Sequence, residues 1–259
     1  AYPRPKHMPR FLLITCAATA LLYLALSATL FVFQRALIYF PQAASEPQVA
    51  SRFTLAHDGE QLQITTRQVA GPGALLYFGG NAEDVNNSLP GLLQAYPDQT
   101  LYLMHYRGYG GSTGQPSEAA LVGDALALFD RVYAEHPRIM IVGRSLGSGV
   151  AVQLASQRPA AKLVLITPYD SLQTIAARQF PFFPVRWLLR DRFDSVRFAA
   201  RVSVPTHIIV AEQDELIPRA STEALLRQFR PGLAQLSTVA RASHNSIGHS
   251  PDYVTMLRR

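Results

Sequence analysis

The chain has 259 residues, of which 48% are hydrophobic and only 16% charged, with a formal net charge of +6. Such a length buries one large core, so a single domain with an appendage is expected. The positive balance does not describe a nucleic-acid binder: Arg4, Lys6, Arg10 and Arg35 precede the first acid, leaving 20 basic residues against 18 acids with no like-charge run.

Residues 1–10 form a short basic segment. From Phe11 to Phe33 no side chain is charged, and at about 1.5 Å per helical residue this stretch is long enough to cross a hydrocarbon layer of about 30 Å. A cleaved secretory leader has a shorter apolar region, so a retained transmembrane anchor at 11–33 is expected. Arg4, Lys6 and Arg10 before it, with only Arg35 just after, put the N-terminus in the cytoplasm and the rest outside, in the periplasm of a bacterial cell. The single cysteine, Cys16, lies inside this stretch, which excludes intrachain disulfides and a paired-cysteine metal site.

Residues 34–51, interrupted by Pro41 and Pro47, read as a tether packed along the domain, with Tyr39 and Phe40 near the outer membrane interface. The main domain is expected over 52–259. It begins with a hairpin, Arg52–His57 and Glu60–Thr66, around Asp58-Gly59; His57 reads as a turn-flanking surface residue. Short apolar strands at Ala74–Phe78, Thr100–Met104, Ile139–Val142, Leu163–Ile166 and His207–Val210 then alternate with helices at Val85–Tyr96, Ser117–Glu135, Leu146–Gln157 and Ser221–Phe229. This predicts an α/β fold: a mostly parallel central sheet with helices on both faces, opened by an antiparallel hairpin. The stretch from Ser171 to Val202 breaks the rhythm and reads as an inserted cap, about 171–202, over the strand ends.

Gly143-Arg144-Ser145-Leu146-Gly147 stands between a strand and a helix, the setting in which a G-x-S-x-G turn holds a serine out on strained backbone at the carboxyl edge of a sheet. A serine hydroxyl needs a base, and the base needs an acceptor that fixes its tautomer. Asp214, after His207–Val210, is the leading acid, with Glu212, Glu215 and Asp170 as competitors. His244, after a last strand at Gln235–Val239, is preferred to His249 as the base; His105 and His136 precede Ser145 and read as structural. An oxyanion formed at Ser145 needs backbone donors worth about 2.7–4 kcal/mol each. The amides of Leu146 and Asn81 are placed to give them, the latter in the loop Phe78-Gly79-Gly80-Asn81.

On Phe78–Asp84, Tyr106–Ser112, Gly143–Gly147 and the Asp214 and His244 segments, residues 36 to 259 resemble the α/β-hydrolase superfamily, and more narrowly its membrane-anchored serine hydrolases related to lipid hydrolases and protein depalmitoylases. Gly79 departs from the histidine that many such proteins carry there, which bears on how the donor loop is supported. The resemblance implies a Ser145–His244–Asp214 triad, needing no cofactor or metal, and a Tyr106–Ser112 loop bordering the site. Gly80, Tyr109, Phe180, Phe183 and Trp187 are expected to bind substrate. An ester or thioester with an acyl or otherwise apolar group is the leading substrate and the bilayer a partner. A serine peptidase and a non-catalytic membrane-associated scaffold are the other readings, and oligomeric state is left open.

Overall fold

The computed structural model describes residues 10–47 and 49–259; Arg4 and Lys6 of the basic segment lie outside the described residues. The first element is helix α1, Arg10–Ile38. Its most apolar window has a mean hydropathy of 2.1 with 6% of residues buried, so it is not the core helix of a water-soluble protein. It is long and apolar enough to cross a membrane. The helix continues past Phe33 to Ile38, where a tether was expected, because Gln34 and Ile38 are buried against the domain.

Strands β1 (Ser51–His57) and β2 (Glu60–Arg67) form the expected hairpin around Asp58-Gly59. Then β3 (Gly73–Phe78), helix α2 (Leu89–Ala95), β4 (Thr100–Met104), α3 (Glu118–Tyr133), β5 (Arg138–Arg144) and α4 (Leu146–Ala155) alternate. After β6 (Lys162–Ile166) come the three short helices of the inserted stretch, α5 (Leu172–Gln179), α6 (Val185–Leu188) and α7 (Ser195–Ala199). The chain ends with β7 (Thr206–Gln213), α8 (Arg219–Leu226), β8 (Ala234–Ser243) and α9 (Tyr253–Arg258).

The eight strands form one sheet in the order β1-β2-β4-β3-β5-β6-β7-β8. Pairing is antiparallel for β1–β2 and β2–β4 and parallel for the rest. Every residue of β3 and β4 is buried, as uninterrupted apolar strands covered on both faces must be. One face is covered by α3, α4, α7 and α8, the other by α2 and α9. Of the inserted stretch, α7 packs on α4 and belongs to the helical layer, while α5 and α6 pack on each other.

Two register pairs position the site. Phe78 pairs with Gly143, which sets the loop after β3 beside the turn after β5. Gln213 pairs with Ser243 beyond a bulge, so the next residues, Asp214 and His244, emerge side by side. Three other histidines, His57, His105 and His136, are bonded within the fold. Buried His105 bonds Thr65 Oγ1 at 2.9 Å, and burial pushes its pKa down to about 4, so it stays neutral. His57 is more engaged than a surface turn residue: its Nδ1 lies 2.8 Å from fully buried Asp124, which also receives a two-pronged bond from Arg107. His136 Nδ1 is 3.2 Å from Gly71 O.

Candidate active site

The turn from β5 to α4 carries Ser145 at φ 49°, ψ −118°, a left-handed backbone that side chains rarely adopt. Close packing demands the glycines around it. A Cβ on Gly147 would lie 2.1 Å from Phe78 O, and one on Gly143 would lie 2.4 Å from Gly147 O. Any larger residue at either position pushes the helix off the sheet and moves Ser145 with it.

Ser145 Oγ lies 2.9 Å from His244 Nε2, and His244 Nδ1 lies 2.9 and 3.0 Å from the two oxygens of Asp214. Asp214 is fixed in turn, because its Oδ1 accepts from the amides of Leu216 and Ile217 at 3.0 and 2.8 Å. With a carboxylate against Nδ1, the imidazole holds its proton there and presents an acceptor to the serine. Such a chain can draw the hydroxyl proton as the oxygen attacks an electrophile. His244 is only 4% exposed, so the transfer is shielded from water. The competing acids are engaged elsewhere. Asp170 accepts from Ser171 N and Ser221 Oγ, Glu212 from Arg241 N, and Glu215 from the His244 amide. His249 is exposed on a short 3-10 turn.

Asn81 and Leu146 line one cavity with Ser145 and His244. Leu146 is the first residue of α4, so its amide has no acceptor within the helix and is available to an anion. The loop bearing Asn81 is braced without the histidine. Tyr106 Oη donates to Gly79 O at 2.8 Å, and the Glu83 carboxylate accepts from Gly80 N at 2.7 Å, Tyr77 Oη at 2.7 Å and Ser88 Oγ at 2.6 Å. A side chain at Gly79 would meet Val85 at 2.8 Å, so histidine does not fit this loop as it stands. Arg144 of the serine turn reaches the same carboxylate at 3.2 Å; burial opposes its charge, but Glu83 keeps its pKa raised.

Glu83 thus couples the donor loop to the serine turn, and Glu83→Gln has a predictable effect. Gly80 N and Arg144 hold the amide oxygen in one place, so the new NH₂ meets the Tyr77 and Ser88 hydroxyls, which must turn from donating to accepting, and Arg144 is left without its counter-charge. We expect kcat to fall by roughly 10- to 100-fold with KM little changed, as when an oxyanion donor is displaced. Steady-state kinetics check this; a change confined to KM contradicts it.

The substrate-side expectations divide. Phe180 and Phe183 line the cavity, which has a volume of about 220 Å³, together with Ile175, Leu189, Leu216 and Ile217. Trp187 does not line it and is 81% exposed, because α6 turns that side chain away from the body. Tyr109 is buried behind the donor loop: its hydroxyl donates to Asn81 O at 2.6 Å and accepts from Phe40 N at 2.9 Å. It therefore braces Asn81 instead of touching a ligand. Gly80 likewise backs Ser145, since a Cβ there would lie 3.7 Å from Ser145 Cβ. Tyr39, expected at a membrane interface, is 3% exposed and donates to Asp191 at 3.2 Å.

The largest unforeseen contribution is from α1, which supplies Leu30, Gln34, Leu37 and Ile38 as one wall of the cavity. A sequence signal for it existed. Tyr23, Gln34 and Ile38 recur at helical spacing on an apolar helix, and its larger polar groups need a protein partner.

No family model matches the chain. It is 37% identical over 210 residues to an uncharacterized protein of Mycobacterium tuberculosis, with 74% of each chain covered. An alpha/beta hydrolase domain-containing protein of Caenorhabditis elegans is 32% identical over 190 residues, 71% of this chain and 56% of that one. The lysophosphatidylserine lipase of Macaca fascicularis is 30% identical over 178 residues, 58% of this chain and 43% of that one. Among solved structures, a Pyrococcus furiosus esterase superposes with a TM-score of 0.69 at 15% identity over 86% of this chain and 99% of that one, a likeness of fold alone. Sheet order, strand-turn-helix serine and these relatives together assign the chain to the α/β-hydrolase superfamily, to which it belongs.

Proposed function

We propose that the chain is a membrane-anchored serine hydrolase that cleaves carboxylic esters or thioesters carrying an apolar acyl group. The observation that carries this reading is the unbroken chain Ser145–His244–Asp214, at 2.9 Å per link, at an apolar cavity. Ser145 Oγ attacks the acyl carbonyl as His244 Nε2 takes its proton, and the resulting oxyanion is met by the amides of Asn81 and Leu146. The imidazolium is stabilised by Asp214 and returns the proton to the departing alkoxide or thiolate. Water, activated by the same imidazole, then releases the acid. Residues 11–33 serve as the anchor, whose helix runs on to Ile38 as a wall of the cavity, and the hydrolase domain carries α5 and α6 as its cap.

Phe180, Phe183, Ile175 and the α1 leucines favour an acyl chain, and a relative bearing the name of a lysophospholipid lipase points the same way. Turnover of acyl esters and thioesters of graded chain length, set against aminoacyl amides, tests the substrate class. The proposal predicts kcat/KM rising from acetyl to medium-chain acyl esters. Faster cleavage of the amides replaces this reading with a peptidase.

A further inference from the structure

Two hydroxyls of α1, on Thr15 and Thr29, return to carbonyls of the helix itself, those of Phe11 and Ala25. Tyr23 bonds the cap, and Gln34 bonds both Phe31 O of its own helix, at 2.7 Å, and the cap. Tyr23 Oη donates to Phe182 O at 3.0 Å, and its ring stacks on Phe183 with centroids 5.6 Å apart. Gln34 donates to Leu188 O at 3.1 Å and accepts from Arg190 N at 2.7 Å. Arg35 pairs with buried Asp191 at 2.9 Å, and the Arg190 guanidinium lies 4.1 Å over the Phe31 ring. The cap therefore lies along α1 from Arg35 down to Tyr23.

That alignment sets a depth. With Phe11 at one edge of a hydrocarbon layer about 30 Å thick, Tyr23 lies about 18 Å in and about 12 Å below the other edge, at about 1.5 Å per residue. On the same scale Arg35 lies about 6 Å outside it. Phe182, held to Tyr23, is then at acyl-chain depth, and its 85% exposed ring faces lipid instead of water. Leu188 to Asp191, held to Gln34 and Arg35, is at the headgroup level, where the exposed indole of Trp187 and the Arg186 and Arg190 guanidinia are stable.

We infer that the tip of the cap, Phe180–Trp187, is inserted into the leaflet on the domain's side of the bilayer, so that the Ser145 cavity is walled by membrane-embedded elements and takes an acyl ester resident in that leaflet. This rests on the reading of α1 as a membrane anchor. It is carried by the Tyr23–Phe182 and Gln34–Leu188 bonds, which fix the cap's level on the helix.

Trp187 is the only tryptophan in the chain, so the intact protein carries its own depth reporter. We would reconstitute the full chain in phosphatidylcholine vesicles brominated either near the headgroup or deep in the acyl chain, with iodide as the aqueous quencher. A Trp187→Phe/Phe182→Trp double variant moves the reporter to the tip. Trp187 is expected to be quenched most by shallow bromines. The double variant should be quenched at least about twofold more by deep bromines than wild type and be insensitive to iodide, as its lower level on α1 requires. Protein that stays with floated vesicles after carbonate washing while iodide quenches both reporters overturns the inserted cap and leaves the anchor standing. Protein that carbonate releases overturns the anchor reading and the insertion with it.

Discussion

Ser145→Ala is expected to lower kcat about 10⁶-fold, equivalent to about 8 kcal/mol of transition-state stabilisation. The loss is large because Oγ is the atom proposed to form the covalent bond, and no other hydroxyl stands within hydrogen-bond distance of His244 Nε2 among the described residues. Alanine keeps the Cβ and the same strained backbone, so the fold should survive. Circular dichroism and an unchanged melting temperature check that. Residual turnover of roughly 10³–10⁴ over water should persist from the Asn81 and Leu146 amides. Adding His244→Ala should cost little more, since the two side chains act as one unit and their effects do not add. A Ser145→Ala protein within tenfold of wild type rules out the acyl-enzyme route.

Asp214→Asn is expected to cost about 10⁴-fold in kcat while leaving the structure intact. The amides of Leu216 and Ile217 both donate to Oδ1, so the asparagine oxygen stays there, 3.0 Å from His244 Nδ1, while its NH₂ takes the Oδ2 place, 2.9 Å from the same nitrogen. The NH₂, the nearer of the two, competes with that oxygen and disfavours the Nδ1 proton. The imidazole then moves its proton to Nε2, where it faces Ser145 Oγ and no longer accepts. Steady-state kinetics on a good ester measure the loss, and ring-nitrogen NMR of His244 reads the tautomer. A rate loss below tenfold with the Nδ1 tautomer unchanged contradicts this role for Asp214.

Much of this arrangement was legible in the residues themselves. The alternation of buried strands and helices gave the sheet, because strands covered on both faces have no polar side to show. The glycines at 143 and 147 were readable as points of contact, and the structure places backbone within 2.4 Å of where their side chains would be. Asp214 and His244 stood directly after strands, and parallel strand pairing turns that into proximity. Tyr109 and Trp187 were not legible, since whether an aromatic side chain in a loop faces a ligand, the core or solvent depends on the loop's path. The same holds for Tyr39, whose partner Asp191 lies 152 residues away. The role of α1 was hidden because hydropathy describes a helix's bulk and not which face another element covers. Only its few polar positions point to the cap.

Ser145 is the proposed nucleophile of a serine hydrolase, and covalent mapping tests that role most directly. The intact protein in detergent is treated with a fluorophosphonate and digested, and the modified peptide is sequenced by mass spectrometry. One phosphonyl group on Ser145, absent from Ser145→Ala and from protein pre-incubated with an acyl ester inhibitor, is the predicted result. Modification at another residue, or none in well-folded wild type, contradicts the account.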